Sequence, residues 1–202
     1  MNTQKSGHKT LLTSVILSSP GPLIVGLGLM VGKSSTQLAD FVRRSSELLA
    51  IIISYIIYTV TTKENGVDME KKQKLERISN LCVGIAMIVG GCIMFVLALT
   101  SNTTEKGNVI PGLTIALLGV FANSLFWRKY TKLNEESPNA ILEVQARLYR
   151  AKALVDSCVS IALLSVLWLP NSSISYYLDL LGTIIVSIYL VYCGYQTFKE
   201  YM

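Results

Sequence analysis

Residues 38–60 read LADFVRRSSELLAIIISYIIYTV, an apolar run that nevertheless carries charged side chains. A run of about 20 apolar residues is long enough to cross a bilayer as a helix. Ionised groups are costly in hydrocarbon and mark pathways for ions or substrates, so Arg43 and Glu47 bear on function as well as on fold. Because they are four residues apart, both side chains lie on one helix face. The stretch predicts a membrane-spanning helix that turns a charged face to a partner helix or a cavity.

A second stretch, 148–169, reads LYRAKALVDSCVSIALLSVLWL and repeats this pattern with Lys152 and Asp156. Counted along the two helices, Glu47 and Asp156 fall at similar depths near the middle of the membrane. If the helices touch, Arg43 can reach Asp156 and Lys152 can reach Glu47. This pairing would lower the cost of burying all four charges.

The composition assigns the chain to the all-α integral membrane proteins. Hydrophobic residues make up 51% of the chain and charged residues 15%, so the apolar surface exceeds what one soluble core buries. The net charge of +5 comes from basic residues between the apolar runs, without an interleaved basic and aromatic surface. The expected partner is therefore the lipid bilayer, and no nucleic-acid partner is expected.

Six apolar runs reach spanning length, and we predict six transmembrane helices in one domain, 1–202, with no carboxyl-terminal cytoplasmic domain. Pro20 and Pro22 are expected to kink the first helix. The predicted spans are Leu11–Val31, Leu38–Val60, Ile78–Leu99, Val109–Trp127, Leu148–Leu169 and Ile174–Phe198.

Basic residues alternate between the two sides of the predicted bundle. Segments 61–77 and 128–150 each hold five Lys or Arg residues, whereas the loops at 32–37 and 100–108 hold one each. Cytoplasmic loops carry an excess of these residues. Both termini are therefore predicted to be cytoplasmic, which requires an even number of spans.

Catalytic and thiolate-metal motifs are missing from the sequence. There is no phosphate loop, nucleophile elbow or zinc-protease motif, and the four cysteines show no C-x-x-C spacing. The single histidine, His8, precedes the first span. We predict that the protein is not an enzyme and holds no resident cofactor.

The order of several short motifs resembles the transmembrane domain of the cation diffusion facilitator, or cation efflux, family. Residues 34–40, SSTQLAD, followed by ELLA at 47–50, are similar to the second-helix pattern of that family. The KLER sequence at 74–77 resembles the entry to the third helix, and YLDLLG at 177–182 resembles the start of the sixth. Gly119 with Asn123, and Asp156 with Ser160, match patterns of the fourth and fifth helices.

The resemblance implies a divalent-metal efflux transporter, for an ion such as zinc or manganese, that works as a proton antiporter. It also implies a metal site shared by the second and fifth helices. When the ligand positions of the family are transferred to this sequence residue by residue, the site is incomplete. Arg43 and Lys152 occupy two of the ligand positions, and only Glu47 and Asp156 remain as acids. Guanidinium and ammonium groups offer no lone pair to a metal.

Two further polar residues are candidates for the transport pathway. Asp40 lies three residues before Arg43, where it would add a third carboxylate or pair with Arg44. Asn123 lies inside the fourth span, where an amide needs a partner, and packing between helices explains it equally well.

Two alternatives to metal transport remain open because of the two basic ligand positions. One is transport of a non-metal solute or monovalent cation, with Lys152 substituting for a bound cation. The other is a degenerate, non-transporting membrane subunit in which the ion pairs only hold the helices in place.

A homodimer and a heterodimer with a full-length relative are both compatible with the sequence. With no organellar targeting segment found, the expected location is a bacterial plasma membrane.

Overall fold

The computed structural model describes residues 2–31, 35–63, 68–100, 109–168 and 173–202, and nearly all of these residues are α-helical. Within these ranges the helices are α1 (Asn2–Ser18), α2 (Pro20–Val31), α3 (Ser35–Lys63), α4 (Met69–Thr100), α5 (Val109–Glu136), α6 (Ala140–Trp168) and α7 (Ser173–Tyr201). The all-helical class predicted from the sequence is confirmed. The described residues of the predicted spans are helical, with the exception of Ser19 in the first span.

The first predicted span consists of two helices that meet at Ser19. Pro20 has no N–H to donate and begins α2, a position that its fixed φ suits. Ser19 still donates its backbone N–H and its hydroxyl to the carbonyl of Val15, at 3.0 and 2.7 Å. The expected kink is therefore a break in the helix one residue before the proline.

Three segments of the described chain are long and apolar enough to cross a membrane: Phe41–Thr62, Met69–Thr100 and Leu180–Tyr201. Large apolar side chains also cover the outside of the bundle. In α2, for example, Leu23 and Ile24 are each 66% exposed. An outer surface of this kind suits lipid rather than water.

Close backbone contact joins α4 to α7. A Cβ atom added at Gly91 would lie 2.8 Å from the Ser187 carbonyl oxygen, and one added at Gly194 would lie 2.7 Å from the Gly84 carbonyl oxygen. Real Cβ atoms do not approach backbone so closely. Small residues at these positions let the two helices pack tightly, as is common in membranes.

The turn between α5 and α6 is built around Pro138 and Asn139. The Asn139 side-chain oxygen accepts hydrogen bonds from the backbone N–H groups of Ile141 and Leu142, at 3.0 and 3.4 Å. This N-cap satisfies two donors in the first turn of α6. It fixes the start of the helix that carries Lys152 and Asp156.

Helices α3 and α6 run antiparallel in a register that two side-chain contacts define. Glu47 of α3 contacts Lys152 of α6. Ser54 lies seven residues after Glu47, and it contacts Gln145, which lies seven residues before Lys152. The same register sets Arg43 opposite Asp156. The two charged faces predicted from the sequence therefore meet along one line, which we call the α3–α6 seam.

Candidate functional site

A cavity of about 530 Å³ opens beside the α3–α6 seam. Most of its wall is apolar and comes from α1 to α6, including Leu17 next to the helix break and Ile93 in α4. Its charged and amide side chains come from α3, α5 and α6; these are Arg43, Arg44, Glu47, Asn123, Lys152 and Asp156.

The Glu47 carboxylate is the most enclosed charged group of the cavity, with 3% of the residue exposed. Its Oε1 atom lies 3.1 Å from Arg43 Nη1, and its Oε2 atom lies 3.5 Å from Lys152 Nζ. Each carboxylate oxygen thus has its own cation. Pairing of this kind is what makes burial of an ionised carboxylate tolerable, because an unpaired one would cost several kcal/mol.

The Asp156 carboxylate is held from α5. Asn123 donates from Nδ2 to Asp156 Oδ2 at 2.6 Å. Gly119, one turn before Asn123 on the same face, leaves space for this contact. A Cβ atom at Gly119 would lie 2.9 Å from Asp156 Cγ and closer still to Oδ2. Because Gly119 has no side chain, the Asp156 carboxylate can reach the amide of Asn123.

Lys152 is held between a carboxylate and an aromatic ring. Its Nζ atom lies 5.1 Å from the centre of the Tyr149 ring, within the range of a cation–π interaction. Tyr149 is itself fixed, because its ring stacks on Tyr130 at 5.4 Å and its hydroxyl lies 3.3 Å from Ser18 Oγ. The ammonium group is thus positioned by contacts that extend to the end of α1.

Most of the site residues predicted from the sequence border this one cavity. Arg43, Glu47, Asn123, Lys152 and Asp156 all contribute to its wall. The predicted contact between Lys152 and Glu47 is confirmed, whereas direct contact between Arg43 and Asp156 stays a prediction.

The sixth candidate, Asp40, has a side chain that lies outside the described part of the structure. Its proposed role as a third carboxylate or as the partner of Arg44 therefore stays a prediction.

Some contributing residues were not identified from the sequence. The sequence gives no signal for Tyr149, because tyrosine is common near span ends and nothing in the linear pattern shows that its ring lies under Lys152. The sequence also does not single out the buried polar group formed by Ser54, Ser79 and Gln145. The available signal was their position on the charged faces, since Ser54 follows Glu47 by seven residues and Gln145 precedes Lys152 by seven.

The donor set of the cavity suits a cation bound by oxygen. Glu47 and Asp156 supply carboxylate oxygens, which coordinate divalent ions. Within the described residues, no group of three or more His, Cys, Asp or Glu side chains is arranged so that it could hold a metal ion. Two carboxylates alone do not complete the shell of a metal ion, so water or backbone oxygens would have to supply the rest.

The chain is similar to a known protein family. The family model described as the cation efflux transmembrane domain matches residues 12–202. The matched segment includes every residue that borders the cavity. A search of curated proteins found no match to the chain.

Proposed function

The chain belongs to the cation efflux family of membrane cation transporters, and from that premise we propose that its cavity carries a divalent metal ion across the bilayer in exchange for protons. The observation that carries this proposal is the meeting of Glu47 and Asp156 at one cavity, with the ammonium of Lys152 on Glu47. These are the acids that the family resemblance implies as ligands. The proposed ligands are their carboxylate oxygens, completed by water or backbone oxygen.

Lys152 supplies the coupling in this proposal. Its ammonium takes the place beside Glu47 Oε2 that a metal ion would need, and two positive charges repel each other strongly in a low-dielectric cavity. Loss of one proton from Lys152 removes that repulsion and frees the carboxylate. Metal entry is then linked to proton release, and metal exit to proton uptake.

The charge balance of the cavity explains why metal entry without proton release would be costly. Among the described side chains at its wall, the three cations Arg43, Arg44 and Lys152 face the two carboxylates of Glu47 and Asp156. A divalent ion adds two positive charges to this set. Release of the Lys152 proton offsets one of them, so the charge to be buried with the ion is reduced.

The ligand chemistry suggests which ions to test first. Carboxylate and water oxygens suit Mn²⁺, whereas imidazole and thiolate are the ligands that favour Zn²⁺. Manganese is therefore the first candidate. Zinc follows, because the family resemblance implies it.

The proposal is tested by flux through the purified protein in proteoliposomes, with manganese, zinc, iron and cadmium under an imposed pH gradient. Metal-dependent flux is expected, and Glu47→Ala/Asp156→Ala should abolish it. A matched control is Glu136→Ala, since Glu136 is an exposed acid that lies 3.9 Å from Lys132 and far along α5 from the cavity. Unchanged flux in the double variant would contradict the proposal, as would wild-type protein that moves no metal under any gradient.

The two cations on Glu47 favour a second candidate, transport of a monovalent cation or a small anionic solute with Lys152 as the resident cation. It predicts pH-dependent flux that needs no divalent metal. Lys152→Met should then remove the pH dependence, and a retained pH dependence would exclude this candidate.

A further inference from the structure

Beyond the charged cavity, the α3–α6 seam holds a second buried polar group. Ser54 of α3, Ser79 of α4 and Gln145 of α6 are all 0% exposed. The Ser54 and Ser79 hydroxyl oxygens lie 2.8 Å apart, and Gln145 donates from Nε2 to Ser54 Oγ at 2.9 Å. We call these three side chains the serine–glutamine cluster.

The hydrogen bonds within the cluster leave one oxygen atom without a partner. Ser54 donates its single hydroxyl hydrogen to the carbonyl of Ala50 at 2.9 Å, so Ser79 acts as the donor between the two serines. Gln145 Oε1 is buried and has no hydrogen-bond partner among the described residues. A buried acceptor of this kind suits a water molecule or another ligand that donates a hydrogen bond, or one that carries positive charge. The cluster therefore has the chemistry of a site for a cation or for its hydration water.

The position of the cluster relates it to the cavity. It lies two helical turns along the seam from the contact between Glu47 and Lys152, a separation of about 10 Å. The stretch between the two polar positions contains Ile51 and Leu148, both 0% exposed. An apolar layer thus separates a charged site from an uncharged one on the same line.

We propose that the serine–glutamine cluster is a second, uncharged station on the cation path, where the ion rests with part of its water shell. This inference rests on the proposed function, because it needs an ion that crosses the cavity. Neutral oxygens hold a cation less tightly than two carboxylates do, and conduction requires sites from which an ion can leave. The cluster would receive the ion from the ends of α3 and α6 that lie near Lys63 and Ala140, on the side predicted to be cytoplasmic. It would then pass the ion to the cavity when the layer of Ile51 and Leu148 separates.

The first test is the accessibility of the cluster to a small cation. In a background without the native cysteines, Ser79→Cys is treated with the cationic reagent 2-aminoethyl methanethiosulfonate during manganese flux. The control is Ser187→Cys in α7, also 0% exposed and bonded within its own helix to the carbonyl of Ile184 at 2.8 Å. Modification of Ser79→Cys is expected at least tenfold faster than that of the control. Equal rates would overturn the proposal.

The second test separates the two stations. Gln145→Leu removes the free acceptor, and we expect it to slow manganese flux at least tenfold while manganese affinity, measured by titration of the purified protein, stays within twofold of wild type. Glu47→Ala/Asp156→Ala should abolish both flux and binding. Wild-type flux in Gln145→Leu would assign the cluster a purely structural role. If instead the double variant keeps its flux, the proposed function fails, while the labelling rates still report whether a cation reaches Ser79.

Discussion

Gly119→Ala is the smallest change that should disturb the Asp156 carboxylate. The added methyl group would lie 2.9 Å from Asp156 Cγ and closer to Oδ2, whereas ordinary van der Waals contact begins near 3.4 Å. The carboxylate must therefore move by at least about 0.5 Å, and Oδ2, the atom that accepts from Asn123 at 2.6 Å, must move further. A displacement of this size takes that hydrogen bond to or beyond its useful range.

The expected loss is one of binding rather than of folding. Removing a partner that orients a metal ligand typically lowers metal affinity by about 10- to 100-fold. Alanine is the better helix former by about 1 kcal/mol, which offsets part of the cost to stability. We therefore expect Gly119→Ala to bind manganese about 10- to 100-fold more weakly, with a melting temperature close to that of the wild type.

The assay is manganese titration of purified protein, together with thermal unfolding of the same samples. Gly182→Ala in α7 is the matched control, because a Cβ there would meet Cys158 Cβ at 3.8 Å, an ordinary contact. Asn123→Ala should lower the affinity to a similar extent, and the double variant with Gly119→Ala should lose no more than the larger single change. Wild-type affinity in Gly119→Ala, or fully additive losses in the double variant, would refute the argument that Gly119 acts through this hydrogen bond.

Three other changes probe separate contacts. Lys152→His replaces the ammonium by a group with a lone pair. The zinc affinity of this variant, measured by titration, should exceed that of Lys152→Met at least tenfold. Equal affinities would contradict the assignment of residue 152 to a ligand position. Tyr149→Phe keeps a ring under the ammonium, whereas Tyr149→Leu removes a cation–π contact of about 0.5–2 kcal/mol. The leucine variant should melt about 1–8 °C below the phenylalanine variant, and identical melting curves would exclude a stabilising ring contact. Gly91→Ala forces a methyl group against the backbone of α7 at a cost of about 1–3 kcal/mol; a wild-type melting temperature would show that α4 and α7 can separate freely.

The spans were predictable from hydropathy, but the helix ends were not. Predicted spans began at Ile78 and Leu148, whereas α4 begins at Met69 and α6 at Ala140. Hydropathy reports which residues suit lipid, and a helix can continue into water beyond that limit. Pairs spaced by four residues support these extensions, as between Glu70 and Lys74 at 2.6 Å, although exposed pairs of this kind contribute only a few tenths of a kcal/mol.

The charged part of the site was predictable because charged residues are rare in membrane-spanning helices. Lys152 and Glu47 stood out for that reason, and helical spacing was enough to predict that they meet. Neutral residues such as Ser54 and Gln145 carry no such signal, since single serines and amides occur in many spans. Ser54 and Gln145 meet only because of the register between α3 and α6. That register is known from the structure, through the contacts of Glu47 with Lys152 and of Ser54 with Gln145.

The placement of charges along α3 and α6 limits how these two helices can move. Sliding one past the other by about one turn would bring Glu47 opposite Asp156 in one direction and Arg43 opposite Lys152 in the other. Both displaced arrangements set like charges against each other in a seam with little water to screen them. Tilting or rotation of the helices avoids this repulsion, so opening of the path should follow those motions. A neutral residue at 152 would remove the barrier to sliding in one direction and leave it intact in the other.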